Sequence, residues 1–126
     1  MSIIVVDVKN RTPIYEQIIS SVKSAVINGL MKADEPLPSV RSLAGELAIN
    51  PNTIQKAYSE LERQGIVYSV PGRGSFVASD TGSIEKQHRD EILENLDALI
   101  GEALKSGISI SQIEDLINNK KEEKDQ

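Results

Sequence analysis

Cysteine and tryptophan are absent from this 126-residue chain, and histidine and phenylalanine occur once each. Without cysteine there is no disulfide framework and no thiolate metal site. His88 stands alone on the polar side of a predicted helix, so a histidine-based triad or transition-metal site lacks its second member. There is no Walker A loop, no dinucleotide fingerprint and no His-Glu-x-x-His motif. These absences leave an enzyme, a metal and a cofactor without support. No apolar run approaches the ~18 residues of a membrane span. The opening SIIVVDV is short and lacks the basic flank of a signal peptide. A soluble cytoplasmic protein of one domain and a short appendage is expected.

Positive charge is also scarce, with a formal net charge of −5, but it is unevenly spread. Residues 1–79 hold eight Lys and Arg against seven Asp and Glu, a balance of +1, and residues 80–126 hold six against twelve, or −6. The acidic excess therefore lies in the tail. A near-neutral front half can bind DNA if its cations converge on one face, with weak and salt-sensitive non-specific affinity.

What is present centres on Pro36 to Val77. Before it, residues 2–8 alternate weakly and are rich in β-branched side chains, which predicts a short strand or extended arm. Thr12-Pro13 reads as a hydroxyl N-cap followed by proline at the first helical position. Ile14, Ile18, Val22, Ala25 and Val26 recur at helical spacing and predict a buried stripe, ended by Asn28-Gly29. Leu30 to Pro38, with two prolines, reads as a loop. Ser39 caps a second helix with Val40, Leu43, Ala44 and Leu47 inward. Arg41 lies near its N-terminus, where the helix dipole disfavours a cation, so a phosphate or an ordinary surface ion pair is expected to hold it.

After an Ala48-Ile49 turn, Asn50-Pro51 starts a third helix running to about Gln64. Ile54, Ala57, Tyr58 and Leu61 share its inner face. The outer stripe carries Asn52, Lys56, Ser59 and Arg63 without a carboxylate, Glu60 and Glu62 lying on the flanks. Such a stripe is often no more than a solvated face. Two features favour DNA: an N-terminus expected to offer free N–H groups to a phosphate, and Asn, Gln and Lys side chains able to read base edges. Ile66 to Val70 and Ser75 to Ala78 then read as a hairpin with Pro71-Gly72-Arg73-Gly74 at its tip. Glycines flanking Arg73 suit a close approach to the minor groove, whose negative potential attracts arginine. The predicted fold class is mainly α with a small β-hairpin wing, a winged helix-turn-helix.

Ser79 to Gly82 is small and polar and marks the expected boundary between residues 1–79 and a helical tail, 80–126. A long helix from Ile84 to about Ser106 places Leu93, Leu96, Ile100 and Ala103 along a seam, widened by Ile92, Leu99 and Leu104. Ser109 and Gln112 form a capping box with Ile108 and Ile113 as its staple. Ile110, Ile113, Leu116 and Ile117 are the apolar face of the last helix, and Lys120 to Gln126 reads as a frayed end. Two helices of this size cannot bury both faces alone. Dimerisation through Leu93, Leu96, Ile100, Ala103, Leu104, Ile113, Leu116 and Ile117 is expected, with folding back onto the winged domain as the alternative.

The segments Leu37-Pro38-Ser39-Val40-Arg41-Ser42-Leu43-Ala44, Asn50 to Glu62, Gly65-Ile66 and Gly72 to Val77 resemble the GntR family of bacterial transcription regulators. Pro13 to Ile18 resembles that family's first helix, and the likeness spans about 11–79. It implies that Arg41 binds phosphate or a base edge. It also implies that Asn50, Asn52, Thr53, Gln55 and Lys56 enter the major groove and that Gly72 and Arg73 reach the minor groove. Many relatives carry arginines where this chain has Pro51 and Gln55, so their operator preference does not transfer. The glycine usual in that family's loop before Leu37 is replaced here, by Asp34. The short two-helix tail resembles the YtrA subfamily. That implies a homodimer through the tail and repression of operons that often encode ABC transporters, with no conventional ligand pocket guaranteed and any small-molecule effector unknown. Two-fold symmetry then calls for a palindromic operator. A winged-helix module gripping an acidic protein partner is the alternative.

Overall fold

A computed structural model describes residues 3–125. In order come α1 (Ile14–Ile27), α2 (Val40–Leu47), α3 (Pro51–Arg63), β1 (Val67–Val70), β2 (Gly74–Val77), α4 (Thr81–Lys105) and α5 (Ile110–Lys124). The architecture is mainly α with a two-stranded antiparallel wing. The described residues form two compact units that meet inside α4, between Lys86 and Gln87. The first turn of α4 goes with the winged unit because Ile84 is buried in its core. The polar stretch 79–82 thus opens the helix: Asp80 accepts from the backbone N–H and hydroxyl of Ser83. Those bonds hold its carboxyl below its ordinary range.

The winged unit is built on the predicted apolar stripes. Ile18, Val22, Ala25 and Val26 of α1 meet Leu43 and Ala44 of α2 and Ile54, Ala57, Tyr58 and Leu61 of α3, all buried. Ile14, Val40 and Leu47 are partly buried at the margin. The Tyr58 hydroxyl donates to the Pro38 carbonyl oxygen at 2.7 Å, which ties α3 to the segment leading into α2. Burial of that phenol pushes its pKa up.

The start of α1 differs from expectation. Pro13 itself is the cap residue and no side chain caps the helix, so Thr12 lies outside it. The Gln17 amide does the local bonding instead. Its Nε2 donates to the Thr12 and Asp7 carbonyls, and its Oε1 accepts from the Asp7 N–H at 2.7 Å. One turn on, the Ser21 hydroxyl accepts from the Val5 N–H and donates to the Ile3 carbonyl. Residues 3–7 are therefore an extended arm laid against α1 side chains, with Ile4 fully buried, and form no strand. Ser2 lies outside the described residues.

Ser39 caps α2 through the Ser42 N–H, and Asn50 caps α3 through the Asn52 N–H at 2.8 Å. Between them Ala48 closes α2 in the left-handed region at φ 55°, its N–H returning to the Ala44 carbonyl. In the wing, Val67 pairs with Val77, Tyr68 with Phe76, Ser69 with Ser75 and Val70 with Gly74. The Tyr68 and Phe76 rings stack 5.6 Å apart. The Arg73 N–H donates to the Val70 carbonyl at 2.9 Å, and Gly72 takes φ 77°. Proline followed by a residue of positive φ is the signature of a type II turn, which requires glycine at that second position.

The segment read as a loop from its two prolines is partly ordered into the sheet. Asp34 donates to Val77, Val77 to Glu35 and Leu37 to Ser75, all backbone to backbone, and Pro36 bridges Phe76. Proline fits here because an edge position needs no N–H from it. On the opposite edge, the Ser69 N–H donates to Glu62 Oε2 at 2.8 Å.

In the second unit Ser109 and Gln112 form the full capping box. Helix α5 continues to Lys124, longer than the frayed end predicted, with an exposed Lys120–Glu123 ion pair in its last turns. No residue of α5 is buried. Leu93, Leu96, Leu99, Leu104, Ile110, Leu116 and Ile117 are all exposed. Leu96, Ile100, Ala103, Ile113, Leu116 and Ile117 line an apolar groove of about 370 Å³. Among the described residues no helix is long and apolar enough to cross a membrane.

Candidate nucleic-acid interface

The candidate interface is set by how α3 begins. Asn50 supplies the cap, Pro51 occupies the first helical position and no acidic residue stands in the first turn. Asn52, Gln55 and Lys56 are exposed and Thr53 half-buried, so the first two turns present amides, a hydroxyl and one cation. Asn50 is partly committed, since its Oδ1 accepts from the Asn52 N–H. Gln55 Nε2 donates to the Ser59 hydroxyl at 3.2 Å.

One expectation about this helix is corrected. Free N–H groups for a phosphate are not found at its first three positions. Pro51 has none, Asn52 donates to the Asn50 side chain, and Thr53 donates to the Asn50 carbonyl at 3.0 Å. The flanking carboxylates temper the outer stripe, as their positions predict. Glu60 reaches from the flank to Arg63, whose Nε donates at 2.9 Å, and Gln64 donates to the same carboxylate. The hydrogen bond from Arg63, then that from Gln64, draws the Glu60 carboxyl down to about 2. The bond to Glu60 raises Arg63 in turn. Arg63 is thereby matched locally, and the distal half of the stripe carries little net charge.

Lys56 is placed differently. Its Nζ lies 3.9 Å from the centroid of the Tyr15 ring on α1. Arg41 is exposed at the second position of α2, where Val40 and Arg41 have backbone N–H groups with no partner among the described residues. Gly72 and Arg73 are exposed at the wing tip. Asn50, Asn52, Thr53, Gln55 and Lys56 are thus brought together by one helix. Arg41 is carried on α2 and Arg73 on the wing, whose β1 is bonded to α3 through Glu62 and Ser69. Sequence reading passed over Tyr15 as a member of this surface, and placed Glu60 and Glu62 on its flanks without naming their partners. The three-residue spacing of Glu60 and Arg63 was a usable signal; Tyr15 reaches Lys56 only through the packing of α1 on α3.

Among the described residues no cluster of His, Asp or Glu could hold a metal ion. Asp34 stands beside the wing at φ 65°, its carboxylate accepting from the Ser79 hydroxyl at 2.6 Å and the Tyr68 hydroxyl at 2.9 Å. Those two bonds hold its carboxyl below the ordinary range. A left-handed backbone is tolerated here because aspartate's short polar side chain can bond locally.

Comparison with known proteins agrees with this geometry. Residues 14–77 match the model of the bacterial regulatory proteins of the gntR family. The HTH-type transcriptional repressor YtrA of Bacillus subtilis is 39% identical over 113 residues, covering 89% of this chain and 87% of that protein. A crystal structure of a transcriptional regulator from Oenococcus oeni superposes with a TM-score of 0.78 at 34% identity, covering 90% of this chain and 95% of that one. A crystal structure of AraR(DBD) in complex with operator ORX1 has a TM-score of 0.50 at 35% identity, covering 52% of this chain and 80% of that one. These relatives are transcriptional regulators and not enzymes.

Proposed function

We propose, from the premise that the chain belongs to the gntR family of bacterial regulatory proteins, that it is a homodimeric repressor of the YtrA kind. On this reading it acts in the cytoplasm on a palindromic operator, of an ABC-transporter operon as the resemblance implies. The observation that carries the reading is the exposed, carboxylate-free start of α3, with Asn52, Gln55 and Lys56 outward. Amides at these positions can pair adenine in bidentate fashion. Because α3 caps its own N–H groups, phosphate contact falls to side chains: Lys56, Arg41 at the start of α2, and Arg73 on the wing. The winged unit, which extends through Lys86, then reads DNA, and the tail from Gln87 on pairs two copies.

The apolar tail supports the pairing. Exposed Leu and Ile side chains in one contiguous patch mark an interaction surface, and α4 and α5 leave theirs uncovered. A symmetric dimer presents the same patch twice, and protein two-fold symmetry imposes a palindrome, with half-sites ~34 Å apart for successive turns.

The test is an electrophoretic shift with duplex DNA from the protein's own promoter region. Arg73→Ala and Arg41→Ala should each weaken binding and flatten its salt dependence by about one ion. Unchanged affinity and salt slope in both would remove the two arginines from the interface. No shift at low salt by a folded dimer would favour an acidic protein partner instead.

A further inference from the structure

The two cations on α3 are held in opposite ways. Arg63 faces the carboxylate of Glu60, and each charge cancels the other. Lys56 has no carboxylate partner among the described residues; its ammonium rests on the Tyr15 ring instead, 3.9 Å from the centroid. An aromatic face attracts a cation through its quadrupole and carries no net charge. A lysine clamped this way is ordered yet keeps its whole charge for a phosphate. Tyr15 and Lys56 line one open groove of about 770 Å³ between α1 and α3; Glu16, Glu60 and Arg63 line it too, Glu60 being bonded to Arg63 and Gln64 rather than to Lys56.

We propose that Tyr15 is a positioning residue for DNA binding: its ring holds the Lys56 ammonium at the α1–α3 edge so that the charge is in place before DNA arrives. The inference rests on reading Lys56 as a DNA contact. A lysine has a flexible four-carbon stem, and its point charge must be immobilised on binding. Immobilising it beforehand lowers the entropic cost of association. The Tyr15 hydroxyl has little part in this, since its contact is a long 3.4 Å bond to Glu16, its chain neighbour. The ring is the working feature, so phenylalanine should substitute for it.

Fluorescence anisotropy on duplex DNA from the protein's own promoter region tests this with Tyr15→Leu, Tyr15→Phe, Lys56→Met and the Tyr15→Leu/Lys56→Met pair. A melting curve for each variant gives its folded fraction, so that affinities refer to folded protein. Tyr15→Leu should weaken binding about two- to fivefold, the range of an exposed cation–π contact, and Tyr15→Phe should stay within about twofold of wild type. In the Lys56→Met background Tyr15→Leu should cost nothing more. The positioning role is overturned if Tyr15→Leu binds like wild type, if it costs as much with methionine at position 56, or if Tyr15→Phe falls as far. Lys56→Met binding like wild type, or a wild-type chain that binds no DNA, overturns the DNA reading and this inference together. A weak Lys56→Met with an additive Tyr15→Leu overturns the positioning role alone.

Discussion

Asp34 and Ala48 are the two described residues other than glycine at positive φ, 65° and 55°, and they are tolerated for different reasons. Asp34 is retained by its two hydroxyl donors. Both Asp34 and Glu60 have carboxyls lowered in the fold. A lowered folded pKa contributes stability that is present above the unfolded value and lost as pH falls through the folded one. For Glu60 that window runs from 4.5 down to about 2. Melting temperature should therefore fall over this acid range, and less steeply in Asp34→Asn and Glu60→Gln; parallel curves for all three proteins would refute the assignment. Ala48 has no such partner for its side chain, and a Cβ in this region costs about 1–2 kcal/mol. Ala48→Gly should raise stability by up to about 1 kcal/mol after the glycine entropy in the unfolded chain is subtracted, read from denaturant midpoints. The replacement at Asp34 was legible as a departure from the family pattern, but its left-handed backbone was not. Nor was that of Ala48, because alanine carries no turn signal of its own.

At the scale of elements, helices α1, α2, α3 and α5 and the hairpin were legible because stripe and stop signals coincided. The buried Ile54, Ala57, Tyr58 and Leu61 are the inner face drawn from spacing alone. Truncating Leu61 to Ala, in a fully buried site, should cost about 2–5 kcal/mol by urea unfolding. The wing tip was legible from Pro71-Gly72, and it sets a second expectation. Gly72→Ala puts a Cβ at φ 77°, so the turn should open, Arg73 should lose its placement, and DNA affinity should fall without a large loss of helix content by circular dichroism. Three things were hidden. Pro36 disguised an edge segment as a loop, because what pairs there is its neighbours' N–H groups. Thr12 looked like a cap, but the Gln17 amide bonds the turn from within the helix. The first turn of α4 was placed in the linker because Thr81 and Gly82 are poor helix formers, whereas Asp80 caps it and Ile84 anchors it.

For the whole molecule, pattern revealed two apolar tail helices, but no single chain records what covers them. The pairing proposal predicts that Leu96→Lys with Leu116→Lys gives a monomer by analytical ultracentrifugation. Its winged unit should keep its fold, and operator affinity should drop because two half-sites no longer bind together. A dimer that survives both charges would place the interface elsewhere. The bond from Ser69 to Glu62 has a consequence at the same scale. A two-stranded sheet has two open edges, each a template for pairing with a stranger chain. Here one edge is covered by the Pro36 segment, and on the other a carboxylate occupies an outward N–H of β1. Glu62 therefore guards against aggregation: Glu62→Ala should precipitate sooner during refolding at high concentration, while Glu62→Gln, which still offers an acceptor, should stay in solution.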